Sequence, residues 1–124
     1  MQKYRNKKVC VNGLYFDSKK EAAYYIKLLE KQQNGEISNL QTQVKFVLIP
    51  AQFEPDKVGV RGGKIKGKCI EKQAIYTADF VYTDSTTGET VVADVKGGKT
   101  TKTEAYVLRR KLMLYVHGIK IKEV

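Results

Sequence analysis

The chain has 124 residues, and 23 Lys and Arg against 13 Asp and Glu give it a formal net charge of +10. That length suits one domain, residues 1–124, with a real core and no second one, and the charge calls for a polyanionic partner, most often nucleic acid. No apolar run approaches a membrane span, "MQKYRNKKVC" lacks the apolar stretch of a signal peptide, and Cys10, Cys69 and the single His117 fit neither a disulfide framework nor structural zinc, so a cytoplasmic protein is expected.

In chain order, "VCVNGLYF" sets Asn12-Gly13 between apolar runs, the strongest short-range signal for a tight hairpin. "DSKKEAAYYIKLLEKQQNGE" predicts a helix from about Ser18 to Asn34, stopped by Gly35, with Ala22, Tyr25, Ile26, Leu29 and Gln33 on its apolar stripe. Glu21 lies at the edge of that stripe. It completes a capping box with Ser18, or it faces a metal site, and the two roles can coexist. A strand follows from about Gln43 to Ile49, ended by Pro50, with Gln43, Lys45 and Val47 on one face.

Residues from Ala51 to Lys72 carry four glycines and six cationic side chains, which reads as an exposed hairpin or loop. Arg61, Lys64, Lys66 and Lys68 recur on a near-alternating spacing, so the segment is either a DNA-clasping arm or a solvated linker.

The run "YTADFVYTDSTTGETVVADVKGG" predicts a hairpin with strands from Ile75 to Tyr82 and from Thr90 to Lys96, joined through "DSTTG". Alternation puts Asp94 and Lys96 on one face and Ala93 and Val95 on the other. With the turn centred between Thr86 and Thr87, Asp79 stands opposite Asp94, Cβ atoms about 5 Å apart. Two carboxylates that close call for a cation, and Mg²⁺, for which Mn²⁺ can substitute, takes such oxygen ligands together with water and phosphate. Lys96 would assist at a scissile phosphate. The plain alternative is a charged hairpin face in water.

A last helix is expected from about Thr101 to Val116, its apolar stripe Ala105, Leu108, Leu112, Tyr115 and Val116. Beside that stripe Lys102, Tyr106, Arg109 and Arg110 fall within roughly 100° of arc, a face that suits a DNA backbone or, equally, plain solvent. A strand from Lys120 to Val124 then returns to the sheet.

This order of elements, with Asp79 and Asp94-x-Lys96 on the hairpin, resembles the PD-(D/E)xK nuclease superfamily. More closely, "KYRNKK", "FDSKKEAAYY", "GEISNLQTQVKF", "YTADFVY", "VVADVKG" and "GIKIKEV" are similar to a small phage and prophage family of unknown function related to Holliday-junction resolvases. The resemblance implies an α/β (α+β) restriction-endonuclease-like core, a central mixed sheet flanked by helices, to which the residues themselves add an N-terminal hairpin and a basic loop or arm. It implies metal-dependent DNA cleavage, with Asp79 and Asp94 binding the metal, Lys96 assisting the nucleophile, Glu21 as a further acid and Gln43 facing the site. Two positions differ from the common pattern: Ala78 stands where proline is frequent, and Asp94 where Glu is commoner.

The resulting expectation is a Mg²⁺-dependent endonuclease of a bacterial host's phage, selective for branched DNA and working as a homodimer because two strands must be cut. Arg5, Arg61, Lys64, Lys66, Lys102, Tyr106, Arg109 and Arg110 are the candidate DNA contacts. The alternatives are a sequence- or end-directed nuclease, of restriction or transposase-subunit type, and a non-catalytic DNA-binding module on the same fold.

Overall fold

Asn12 and Gly13, with φ of 53° and 81°, close the first hairpin, β1 (Val9–Val11) with β2 (Leu14–Phe16). Both central residues of a type I′ turn need positive φ, and the Asn-Gly pair supplies it. The structure, a computed structural model, describes residues 8–96 and 102–124. Arg5 and residue 101, the expected start of the last helix, lie outside the described residues.

Helix α1 (Lys19–Gln33) starts where Ser18 Oγ accepts the Glu21 N–H and ends at Asn34 and Gly35. Its buried residues are Glu21, Ala22, Tyr25 and Leu28, so the inner face is turned from the expected stripe: Leu28 is fully buried, while Ile26 and Gln33 are exposed. On that face Tyr25 meets the Phe16 and Phe80 rings, and Leu28 packs in the same cluster. Strand β3 (Ile37–Ile49) begins well before the expected Gln43, because Ile37 and Ser38 already pair with the far end of its neighbour.

The segment after Pro50 forms a ribbon of two nested pairs: β4 (Gln52–Phe53) with β7 (Cys69–Glu71), and β5 (Lys57–Val58) with β6 (Lys64–Ile65). Then β8 (Ala74–Asp84) and β9 (Thr90–Asp94) make the main hairpin, α2 (Glu104–His117) follows, and β10 (Lys122–Glu123) closes the chain. The central sheet runs β10-β9-β8-β3, parallel between β10 and β9 and antiparallel elsewhere. The fold is therefore mixed α+β, a central mixed sheet with one helix on each face.

Each face has its own core. Ala22, Tyr25 and Leu28 of α1 pack on Phe80, Tyr82 and Ala93; Tyr106 and Met113 of α2 pack on Tyr76, Ala78, Val81 and Val92. Strict alternation would put Ala78 and Phe80 on one face. They lie on opposite faces, so the alternation slips between them, at Asp79. The partner strand slips too: Leu40 joins the α1 side and Val44 the α2 side, and Gln43 between them has a φ of 52°. Pairing stays in register across the slip, from Thr42↔Phe80 to Val44↔Ala78.

Helix α2 presents a different face from the expected one. Tyr106 and Met113, seven residues apart and thus on one side, are buried, whereas Leu108, Tyr115 and Val116 are exposed. Tyr106 can be buried because its hydroxyl has a partner, Glu123 Oε2 at 2.7 Å. Met113→Ala should therefore cost about 2–5 kcal/mol in urea denaturation, and Leu108→Ala no more than about 0.5 kcal/mol; equal losses would put the core on the wrong face.

Candidate active site

Strands β8 and β9 stay paired from Thr83↔Thr90 to Phe80↔Ala93 and then separate, with Asp79 and Asp94 as the next residues on either side. That is the register expected from a turn centred between Thr86 and Thr87. Beyond the fork, β9 keeps only its other neighbour: Val124 N–H donates to Asp94 O, and Lys96 N–H to Val124 O. The Asp79 carboxylate fills the gap on the β8 side, its Oδ2 accepting the Val95 N–H at 2.8 Å. A side chain here takes over where the backbone ladder stops.

Asp94 is buried and fully engaged. Its Oδ1 pairs with Lys96 Nζ at 2.9 Å and its Oδ2 accepts the Tyr76 hydroxyl at 2.6 Å. Lys96 Nζ also lies 3.2 Å from the centre of the Tyr106 ring, and its backbone carbonyl accepts from Lys20 Nζ. Lys96 is thus fixed by an ion pair, an aromatic face and a backbone contact. Tyr76, held by burial and then by Asp94 above the ordinary tyrosine range, remains a donor.

Glu21 approaches from α1. Only half of the capping box forms: Ser18 caps the helix, but the Glu21 carboxylate turns to the sheet, where Gln43 Nε2 donates to its Oε2 over a long 3.4 Å. Burial first, then the Asp79, Asp17 and Asp94 charges, push Glu21 up to about 7. Burial also raises Asp79; the Val95 N–H opposes it, Asp94 adds to it, and Gln43 and Lys96 oppose it. The Gln43 amide thus serves both Glu21 and Asp79.

The three acids therefore sit within electrostatic reach of one another around the fork. They do not form a cage: among the described residues, no group of three or more His, Cys, Asp or Glu stands close enough together to hold a metal ion. An open cleft of about 330 Å³ adjoins Asp94, lined also by Ile75, Tyr76, Thr77, Tyr106 and Arg109. Asp79, Glu21 and Gln43 do not line it.

The chain matches a family model described as "Protein of unknown function (DUF1064)" over residues 1–122. It belongs to the DUF1064 family. No curated protein and no solved structure matches it. Among the described residues of this DUF1064 chain, no helix is long and apolar enough to cross a membrane.

The candidate DNA contacts divide. Lys102 and Arg110, one turn either side of Tyr106, both reach Glu123, at 2.7 and 3.2 Å. With the Tyr106 hydroxyl they hold Glu123 down to about 2. Tyr106 is core, not part of an outer basic face. Arg109 points instead to the cleft beside Asp94, with no acidic partner among the described residues. In the ribbon, Lys64 pairs with Asp56 at 3.2 Å and Lys66 lies 5.2 Å over the Phe53 ring.

Two participants escaped the sequence reading. Tyr76 looks like any strand tyrosine, and nothing in "AIYTADF" distinguishes a core ring from one whose hydroxyl positions an acid. Glu123 did carry a signal, as the sole acid after Glu104 in a basic tail.

The Glu123 network gives a pH dependence with a definite sign. A carboxylate whose folded pKa lies below its unfolded value of 4.5 contributes stability above that pH and loses it as pH falls towards 2. Glu123→Gln should lower the melting temperature at pH 7, and the difference from the parent should vanish near pH 2. A deficit of the same size at both pH values would mean that the charge of Glu123 contributes nothing.

Proposed function

We propose that the chain is a divalent-metal-dependent DNA endonuclease of PD-(D/E)xK type on a nuclease-like fold, acting on branched DNA. The observation that carries the reading is the fork, which leaves Asp79 and Asp94 as the residues next to the last β8–β9 pair with Lys96 on Asp94, in a chain of net charge +10. Two acids and a lysine around one fork, with Asp94 opening onto a cleft, on a polycation, suit hydrolysis of a phosphodiester.

The donor set fits Mg²⁺ or Mn²⁺. It offers only hard oxygen ligands, Asp79, Asp94 and Glu21, and a cation bound there would offset both the burial and the mutual repulsion that raise Glu21 and Asp79. An ion bound there would supply Lewis-acid polarisation of the phosphate and a more acidic water. Mg²⁺ does not require three protein carboxylates, since it commonly keeps waters and borrows phosphate oxygens.

The chain's own residues divide the remaining work. Tyr76 holds Asp94 in one orientation. Lys96 meets the negative charge that grows on the phosphate oxygens as the water oxygen bonds to phosphorus and the bridging P–O bond breaks. Arg109, in the cleft, grips a neighbouring phosphate. A symmetric cut at a junction needs two forks, which supports a homodimer.

The decisive comparison uses labelled duplex, single-stranded, flap and four-way junction DNA with and without Mg²⁺ or Mn²⁺. Asp94→Asn keeps an acceptor for Tyr76, so it should bind DNA as well as the parent or better while cleavage falls at least about 10²-fold. Lys96→Ala should lose cleavage likewise, with weaker binding. Cutting by Asp94→Asn at the parental rate would exclude this centre.

The alternative of a non-catalytic DNA-binding module has one observation behind it, that both Asp94 oxygens already have protein partners. It calls for binding without cleavage on every substrate.

Binding should discriminate among the basic residues. Arg109→Ala should flatten the salt dependence of DNA affinity by about one unit. Lys102→Ala and Arg110→Ala should change it less and cost fold stability instead, because Glu123 already engages both. Three equal salt slopes in titrations at several ionic strengths would contradict that division.

A further inference from the structure

The ribbon between β3 and β8 plays no part in the core. No residue from 51 to 73 is buried, yet Val60 is 108 % exposed, Val58 79 %, Ile70 62 % and Ile65 54 %. Its tip is a tight turn: Gly62 N–H donates to Gly59 O at 2.9 Å and Gly59 N–H to Gly63 O at 2.6 Å. Val60 and Arg61 are therefore the two central residues of the turn, held outward between glycines, with Gly62 at a φ of 83°.

The stalk behind the tip is braced. Asp56 Oδ1 accepts the Gly67 N–H at 2.8 Å and Oδ2 pairs with Lys64, while Glu54 N–H donates to Lys68 O at 2.8 Å. At Gly67 a Cβ would fall 1.7 Å from the Glu54 carbonyl oxygen, so the two strands of the stalk approach as closely as only glycine allows.

Chemistry narrows what the tip can meet. From Lys57 to Ile70 there are five cations and no acid, which complements phosphates on both sides of a narrow ribbon. The same stretch contains no Asn, Gln, Ser, Thr or His, so apart from its cations it has no polar side chain to read base edges in a major groove. An exposed aliphatic wedge beside an arginine is instead the pairing used in the minor groove, where apolar side chains part a base step and cations follow the groove's negative potential.

We propose that the ribbon tip enters the minor groove of duplex DNA, with Val60 wedged at a base step and Arg61 along the groove, so that the duplex is bent beside the fork. This rests on the reading of the chain as a DNA-binding nuclease and adds to it the groove and the deformation. A bend of about 20–90° is the usual result of such a wedge.

The test is energy transfer between the ends of a dye-labelled duplex of about three helical turns, in EDTA so that no cleavage occurs, with parent protein, Val60→Ser and Arg61→Ala. Val60 touches nothing in the core, so its replacement leaves the fold intact. The parent should shorten the end-to-end distance. Val60→Ser should abolish the bend while weakening binding less than fivefold, Arg61→Ala should weaken binding roughly tenfold and flatten the salt slope by about one unit, and a minor-groove polyamide should compete. A straight duplex in the parent complex, a bend unchanged by Val60→Ser, or indifference to the polyamide would overturn the proposal. The outcome separates from that of the nuclease reading: a Val60-dependent bend without metal-dependent cleavage removes only the nuclease, and cleavage with straight DNA removes only the wedge.

Discussion

Carboxylates gathered where two strands part repel one another, and burial strengthens the repulsion because less water screens it. Everything around the fork of β8 and β9 answers that constraint. Asp94 is held between the Tyr76 hydroxyl and the Lys96 ammonium, Asp79 takes the Val95 N–H, and Gln43 places its amide between Asp79 and Glu21. These partners come from β3, β8 and the two residues that follow β9, so the sheet and the acidic group hold each other in place. Burial first, and then the charges of Asp79, Asp17 and Asp94, push the Glu21 carboxyl up to about 7.

The fork also explains the slip in alternation. A regular β8 would send Ala78 and Phe80 to one helix; with the slip at Asp79, Tyr76 and Ala78 pack on the α2 side, Phe80 and Tyr82 on the α1 side, and Val81 again on the α2 side. Gln43 shares the distortion, with a backbone conformation uncommon for a residue that is not glycine, as does Asn39 at a φ of 54° near a register shift. Both lie on β3, one of the two edge strands of the sheet. Irregularities there also make a poorer template for pairing with another chain.

The excess positive charge is not evenly available. Glu123 engages Lys102 and Arg110, and Asp56 engages Lys64, which orders parts of the fold. Arg109 in the cleft and Arg61 at the ribbon tip stand apart from these pairs. Exposed lysines outside these pairs, among them Lys27, Lys45, Lys57, Lys68, Lys111 and Lys120, spread the rest of the charge over the surface.

Local patterns in the sequence determined the pieces. Asn12-Gly13 set the first turn, Ser18 and Gly35 bounded α1, alternation put Asp94 with Lys96 and Ala93 with Val95, and the spacing around "DSTTG" set Asp79 opposite Asp94. These features depend on neighbours a few residues apart or on one hairpin. Which face of each helix turned inward did not follow locally. Ile26 and Leu108 are as apolar as Leu28 and Met113, and the choice fell to partners distant in sequence: Phe80, Tyr82 and Ala93 of the sheet take Tyr25 and Leu28 of α1, and Glu123 satisfies the Tyr106 hydroxyl so that this ring can be buried. The tertiary structure likewise made Tyr76 a support for Asp94 and tied Lys102 and Arg110 to Glu123, because a hydrogen bond across 18 residues, or an ion pair across 21 and 13, leaves no periodic trace in a chain.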